Sequence, residues 1–474
     1  MATPNNASSP SDPAAQAPPS AATAGRAGAA PGASHLLGKP IVPTLLRLAA
    51  PNWVVMVTLA AVSMIDIFFV GRFGLDALAG VSITFPMMML MQSMAAGGMG
   101  GGVASAVARA RGAGKQEDVD AVAAQALVTA IGMAALFAAL FVGFGRVLYG
   151  ALGATGAELE AALTYSNVLF LGGAVVWLFH LLSAVIRGTG NMVFPAGLLV
   201  LTQVIHVGLC PALVFGIGPL PAYGVRGAAL SAIFSFAPGV VALLVHLVSG
   251  RGAARLSLHS LRLRPAILRD ILRVGLPGSA SNILTNGNVT ILTALVGPFG
   301  TQAVTGFSIA SRTEYVQTTL AFGLGAAILT LVGTEIGAGN RARALRVAWI
   351  GASLMAVLAG AIGLFVFAFP GWFIGQFSTD ALVLAVGTLY LRFVAPAYVF
   401  FGLGLGLFFG ALGAGRARWP LAGTLARVAV ASGGGWLMTS VLGGGLSSLF
   451  LPVAVSFVIF GLIIAIAMWL GKVV

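Results

Sequence analysis

The chain has 474 residues, of which 58% are hydrophobic and only 8% charged, with a formal net charge of +13. So few charges cannot cover the surface of a water-soluble protein of this length, which excludes a soluble enzyme or binding module. Its single cysteine, Cys210, excludes an internal disulfide and a cysteine cluster for metal.

Residues 1–40 are mostly Ala, Pro, Ser, Gly and Asn, with almost no large apolar side chain. They cannot offset their ordering entropy by burial, so a disordered cytoplasmic tail is expected, and they lack the charged–apolar–cleavage pattern of a signal peptide. Twelve apolar stretches follow, at about 44–70, 78–108, 119–146, 161–186, 193–216, 226–249, 267–297, 302–335, 343–369, 381–410, 419–441 and 446–470. As helices, stretches of roughly 20 residues cross a bilayer core of about 30 Å, and barrel strands would be short and alternating. The expected fold class is an all-α membrane protein with twelve transmembrane helices, numbered here as spans 1 to 12. Pro51, Pro86, Pro211, Pro396 and Pro452 fall inside these stretches and are expected to kink them.

Basic residues favour one side of the connections. Lys39 and Arg47, then Arg109, Arg111 and Lys115, Arg187, the run Arg251 to Arg273, Arg341 to Arg346, Arg416 and Arg418, and Lys472 share that side. The other side receives Arg72, Arg146 and Arg226. By the positive-inside rule both termini are cytoplasmic, and this topology accounts for the charge without nucleic acid. The five histidines show no metal-ligand spacing, and no catalytic motif is present.

A long-range echo organises the chain. Pro51, Phe73-Gly74, Ala77 and Gly112-Ala113-Gly114 recur as Pro277, Phe299-Gly300, Ala303 and Gly337-Ala338-Gly339. Gly188-Thr189-Gly190-Asn191 with Pro195 recurs as Gly413-Ala414-Gly415-Arg416 with Pro420. The repeat implies two pseudo-symmetric six-helix bundles in parallel orientation, at 41–250 and 266–474, joined by a basic cytoplasmic linker at 251–265. The linker arginines are expected at anionic lipid headgroups.

Intramembrane polar residues nominate the site. Asp66 is the acidic residue of span 1 and shares a polar stripe with Asn52 and Ser63. A carboxylate in hydrocarbon faces a cavity or is protonated, or else snorkels to the interface. Gln203, His206 and Cys210 share a face of span 5, with Cys210-Pro211 following. Asn282, Asn286 and Thr290 are spaced by four on span 7, to contact substrate or to hydrogen-bond span 8. Arg312 and Glu314 on span 8 point to different faces, so Arg392 on span 10 is a candidate partner for Glu314, as a structural ion pair or a second cation site. Met87, Met88, Met89, Met91, Met94 and Met99 crowd span 2, where packing is the simpler explanation and a pliable ligand surface the alternative.

Several motifs together resemble the multidrug and toxic compound extrusion (MATE) family. These are Pro51 with Asp66-x-x-Phe69-Val70-Gly71-Arg72-x-Gly74, Ala77-Leu78-Ala79-Gly80, Arg111-Gly112-Ala113-Gly114, Arg187-Gly188-x-Gly190, Ser311-Arg312-x-Glu314 and Gly337-Ala338-Gly339-Asn340. The resemblance covers about residues 41–470. It implies a V-shaped, alternating-access antiporter of the bacterial inner membrane, exporting organic cations against H⁺ or Na⁺, and it places the coupling aspartate at Asp66. Relatives offer Asn and Asp on span 5 where this chain has His206 and Cys210. Sodium wants hard oxygen ligands, so the substitution favours H⁺. Two readings of His206 stand, a proton relay to Asp66 or a hydrogen bond between helices.

The resulting expectation is a proton-coupled exporter of amphipathic cations in contact with membrane lipids, acting as a monomer and needing no cofactor. Gln203, Cys210, Asn52, Ser63, Asn282, Asn286 and Thr290 line its cavity, and Pro51 and Pro211 act as hinges. A Na⁺-coupled version and a lipid-linked precursor flippase are the alternatives. At the 226-residue offset Asp66 maps to Leu292, so the scaffold repeats and the acidic site does not.

Overall fold

The structure, a computed structural model, describes residues 36–473 except 71–74, 217–220 and 258–261, with the backbone alone at 60–70 and 75–79. Among the described residues there is no strand. A helix satisfies its own backbone polar groups, which hydrocarbon cannot do. Eight helices are individually long and apolar enough to cross a membrane, and Gly156–Leu171 with Gly173–Gly188 makes a further crossing bent by 46°.

Three more crossings carry interruptions or charge. In span 2, Leu75–Ser93 continues through a π-helical turn, Met94–Met99, into Gly100–Gly112. Span 7, Pro265–Val296, holds Arg269, Asp270 and Arg273 near its start. In span 11, Arg418–Val428 runs into π-helical turns at Ala429–Gly433 and Leu437–Val441. The other spans are Ile41–Val70 (1), Gln116–Gly143 (3), 156–188 (4), Val193–Phe215 (5), Val225–Val248 (6), Thr301–Gly337 (8), Arg341–Ala368 (9), Ala381–Gly413 (10) and Leu446–Trp469 (12). Of the five prolines expected to kink their helices, Pro396 alone coincides with a break, the 3₁₀ turn Ala395–Ala397. The helix runs uninterrupted through Pro51, Pro86, Pro211 and Pro452.

Two apolar cores form, one mainly on spans 2 to 6 and one mainly on spans 7 to 12. Their membership contains an exchange. Leu45 and Leu48, at the start of span 1, are buried in the second core, while Ile271 and Val274, at the start of span 7, are buried in the first. These pairs are related by the same 226-residue offset, so each lobe seats its opening turns in the other.

The chain start, linker and chain end gather at one end of the molecule. There the Arg343 Nη2 donates to the Lys39 carbonyl at 2.5 Å, Arg416 Nη1 to that of Lys472 at 2.8 Å, and Gln116 Nε2 to that of Ala253 at 3.0 Å. The linker docks on span 3 through the Arg255 amide to Asp120 at 2.8 Å and Arg264 to Asp118 at 3.6 Å. Arg264, one of the linker arginines expected at lipid headgroups, therefore has its charge engaged by the protein itself.

At this linker end spans 2 and 8 cross backbone to backbone. A Cβ added at Gly112 would collide with the Thr334 carbonyl, and one added at Gly337 with the Arg109 carbonyl. The 225-residue offset maps 109 to 334 and 112 to 337, so the contact is self-complementary, as across a two-fold axis. Hydroxyls repeat the pattern. Ser105 Oγ donates to the Leu412 carbonyl at 2.5 Å and Thr330 Oγ1 to the Arg187 carbonyl at 3.3 Å, again positions 225 apart. Only glycine allows so close a crossing, and the duplicated Gly-Ala-Gly is the sequence trace of this joint.

Candidate transport site

Above the crossing the lobes stay tied as far as mid-helix. Asn52 Nδ2 donates to the Gly323 carbonyl at 3.4 Å, Trp53 Nε1 to that of Leu320 at 3.2 Å, and Asn282 Nδ2 to that of Ser93 at 2.9 Å. Arg109 adds an interlobe ion pair, its Nη2 lying 2.5 Å from Asp270, and its Nη1 donates to Ser105 Oγ at 2.6 Å. Asn52 and Asn282, expected to line a cavity, are thus spent on fastening one lobe to the other. The partner of Asn282 is span 2, not span 8.

The remaining span 7 candidates are exposed and turn to their own helix: Asn286 Nδ2 donates to the Asn282 carbonyl at 2.8 Å and Thr290 Oγ1 to that of Asn286 at 3.4 Å. The buried asparagine of this helix is Asn288, whose Oδ1 accepts from Ser432 Oγ at 2.8 Å in the first π-helical turn of span 11. Sequence reading missed that pair, because a π-helical turn shifts the face that a 3.6-residue period predicts.

In the first lobe, Asp66 and Ser63 stand on the helical backbone of span 1, and their side chains lie outside the described residues. On span 5, His206 Nδ1 lies 3.4 Å from Ser231 Oγ on span 6, an interhelical contact, and Gln203 is half-buried. Cys210 does not line an open cavity. It is 3% exposed and packs in an apolar cluster with Tyr165, Leu169, Val214, Ala228 and Ala229. A thiol behaves as a small hydrophobe, which accounts for that placement.

The second lobe corrects the expected ion pair. Glu314 accepts a hydrogen bond from the Tyr390 hydroxyl and pairs with Arg427 at 3.5 Å, while Arg312 and Arg392 are exposed. Residues two apart on a helix point about 200° apart, so the turn that aims Tyr390 at Glu314 aims Arg392 away from it. The guanidinium of Arg427 lies over the rings of Phe401 at 4.8 Å and Phe457 at 4.6 Å, an arrangement that compensates a desolvated cation. Beside it Thr313 Oγ1 and the Tyr398 hydroxyl are 2.6 Å apart. Arg427 was visible in the sequence as an arginine inside the stretch 419–441, and it stands two residues before a π-helical turn.

Between the lobes, directly beyond the crossing, lies a narrow cleft of about 20 Å³. Its first-lobe wall is Ala96, Gly97, Gly100, Gly101, Ala104 and Arg187, and its second-lobe wall is Phe322, Ala326, Leu329, Thr330 and Phe409. The two rings meet edge to face with centroids 6.0 Å apart. Its walls are mostly apolar with few polar groups, the lining usual for small-molecule sites, and a cargo needs the lobes to part further. Among the described residues no group of His, Cys, Asp and Glu could hold a metal ion.

The profile of the family described as MatE matches residues 51–212 and 277–433, one segment in each lobe. The chain is 27% identical to a protein named FAD transporter from Shewanella oneidensis, over 77% of this chain and 80% of that one. It is 28% identical to the probable multidrug resistance protein NorM of Thermotoga maritima, over 74% and 75% of the two chains. A solved structure described as the outward-facing conformation of a multidrug resistance MATE family transporter superposes with a TM-score of 0.83 at 22% identity, covering 94% of this chain and 98% of that one. Fold, paired profile matches and relatives agree that the chain belongs to the MATE family, as a twelve-span multidrug efflux transporter and not an enzyme.

Proposed function

We propose that this protein is an alternating-access antiporter that exports amphipathic organic compounds in exchange for H⁺, from a bacterial inner membrane with both termini in the cytoplasm. The observation that carries the reading is the self-complementary joint of spans 2 and 8 beneath an interlobe cleft. A joint made of glycine backbones and a few hydrogen bonds can open as a rigid-body movement of two lobes that keep their own cores.

Asp66 is the proposed coupling group. Span 1 continues as helix to Val70, which sets residue 66 about 6 Å from its end, away from the linker. Protonation removes a charge that hydrocarbon disfavours, and the proton drives the cycle only through different affinity in the two states. His206 and Cys210 supply no hard oxygen, which favours H⁺ over Na⁺ in this lobe. The expectation of a cationic cargo draws no support from the cleft wall, which among the described residues presents an arginine and no carboxylate.

In inverted membrane vesicles with an acidic lumen and no Na⁺, wild-type protein should accumulate a fluorescent cargo. Asp66→Asn should fall to background at unchanged expression. Wild-type rates from that variant would remove Asp66 from the mechanism, and transport that returns only with Na⁺ would assign the coupling to sodium.

A further inference from the structure

Arg187 stands apart from the other charges of the membrane interior. It lies at the end of span 4, partly buried in the cleft wall. Its carbonyl accepts from Thr330, but among the described residues neither a carboxylate nor a hydrogen-bond acceptor pairs with its guanidinium. Glu314 on span 8 is already held by Arg427 and Tyr390. A partly buried guanidinium without a counter-charge, facing a cleft, is placed to meet an anionic ligand.

The repeat sharpens the point. At the 225-residue offset Arg187 maps to Leu412, Phe322 to Gly97 and Phe409 to Ala184. The fold therefore accepts an apolar residue at the position of Arg187 and small residues at those of the two rings. What departs from the repeated scaffold is a cation on one wall and two aromatic rings on the facing wall. Phe409 is pressed against Gly325, where a Cβ would collide with its ring, so the ring is fixed in place.

Resting on the exporter reading above, we propose that the cleft, widened as the lobes part, selects anionic aromatic cargo: a planar ring system against Phe322 and Phe409 whose carboxylate, sulfonate or phosphate pairs with Arg187. The guanidinium offers a planar fork of donors that matches such groups in two-point geometry. Aromatic rings supply the apolar contact without fixing one molecule. A lipid headgroup could present the same anion, so the test separates the two sources.

Fluorescein and rhodamine 123 share a xanthene ring and carry opposite charge. Titrated by fluorescence anisotropy onto the purified transporter in detergent, fluorescein should bind at least about tenfold more tightly than rhodamine 123, the size of one charge-assisted pair. Arg187→Gln should erase the preference and Arg187→Lys should keep most of it. Added phosphatidylglycerol should leave the fluorescein affinity unchanged.

Equal or tighter binding of rhodamine 123, binding of neither dye, or a preference that survives in Arg187→Gln would overturn the proposal. Displacement of fluorescein by phosphatidylglycerol would do the same, by giving Arg187 to lipid. The wild-type comparison needs no variant, so misfolding of Arg187→Gln gives no shelter. Equilibrium binding needs no gradient, so a failure here is distinct from a failure of proton-coupled export.

Discussion

Gly112→Val should abolish export while leaving a folded protein in the membrane. The valine Cβ would run into the Thr334 carbonyl, a backbone atom that cannot swing aside as a side chain end would. Overpacking costs about 1–3 kcal/mol where neighbours can yield and more against backbone. Closure at the linker end should therefore fall at least tenfold to roughly a hundredfold in population. Each lobe keeps its own core, so the damage falls on the joint and not on folding. Gly337→Val should behave alike, because it meets the Arg109 carbonyl across the same axis. Gly132→Val is the control, since a Cβ there meets nothing within 4 Å. Drug susceptibility in an efflux-deficient host, with membrane abundance measured alongside, distinguishes these outcomes. Full resistance from Gly112→Val would show that the joint need not close.

The second large effect is on stability. Arg427→Met leaves Glu314 buried beside Tyr390 without its cation, and removing one partner of a buried pair costs about 3–5 kcal/mol. Side-chain exposures of 6% for Arg427 and 14% for Glu314 place the pair largely away from screening water. Methionine keeps contact with Phe401 and Phe457, so loss of charge dominates the change. Removing both charges in Arg427→Met with Glu314→Leu should be milder than Arg427→Met alone, because an apolar pair leaves nothing desolvated and unpaired. Thermal inactivation in detergent orders the variants. A loss in the double change equal to the sum of the two single losses would mean that the pair contributes no coupling energy.

Length and hydrophobicity made the twelve spans legible, because a bilayer fixes how much apolar chain a crossing needs. The echo of Gly112-Ala113-Gly114 in Gly337-Ala338-Gly339 was equally plain. That the two copies would press against each other was not, since a sequence repeat shows likeness and not contact. Arg187 was counted among the basic residues flanking span 4, whereas the structure places it on the cleft wall. Counting charges on connections cannot show whether a long arginine at a helix end turns toward water or back into the protein. Arg392 was paired with Glu314 by depth along the helices, and helical rotation gave the place to Arg427. The π-helical turns at Met94–Met99 and Ala429–Gly433 were hidden because an apolar run looks the same at either winding.

Rocking of the lobes about the joint of spans 2 and 8 can be measured as a distance. Cys210 is the sole cysteine, so Cys210→Ala with Ala113→Cys and Ala338→Cys places one spin label on each copy of the repeated motif. Between about pH 5 and pH 8, pulsed dipolar spectroscopy should find a short and a longer distance whose proportions shift with pH. The shift should vanish in Asp66→Asn. A single short distance unchanged across that range would contradict proton-driven opening of this joint.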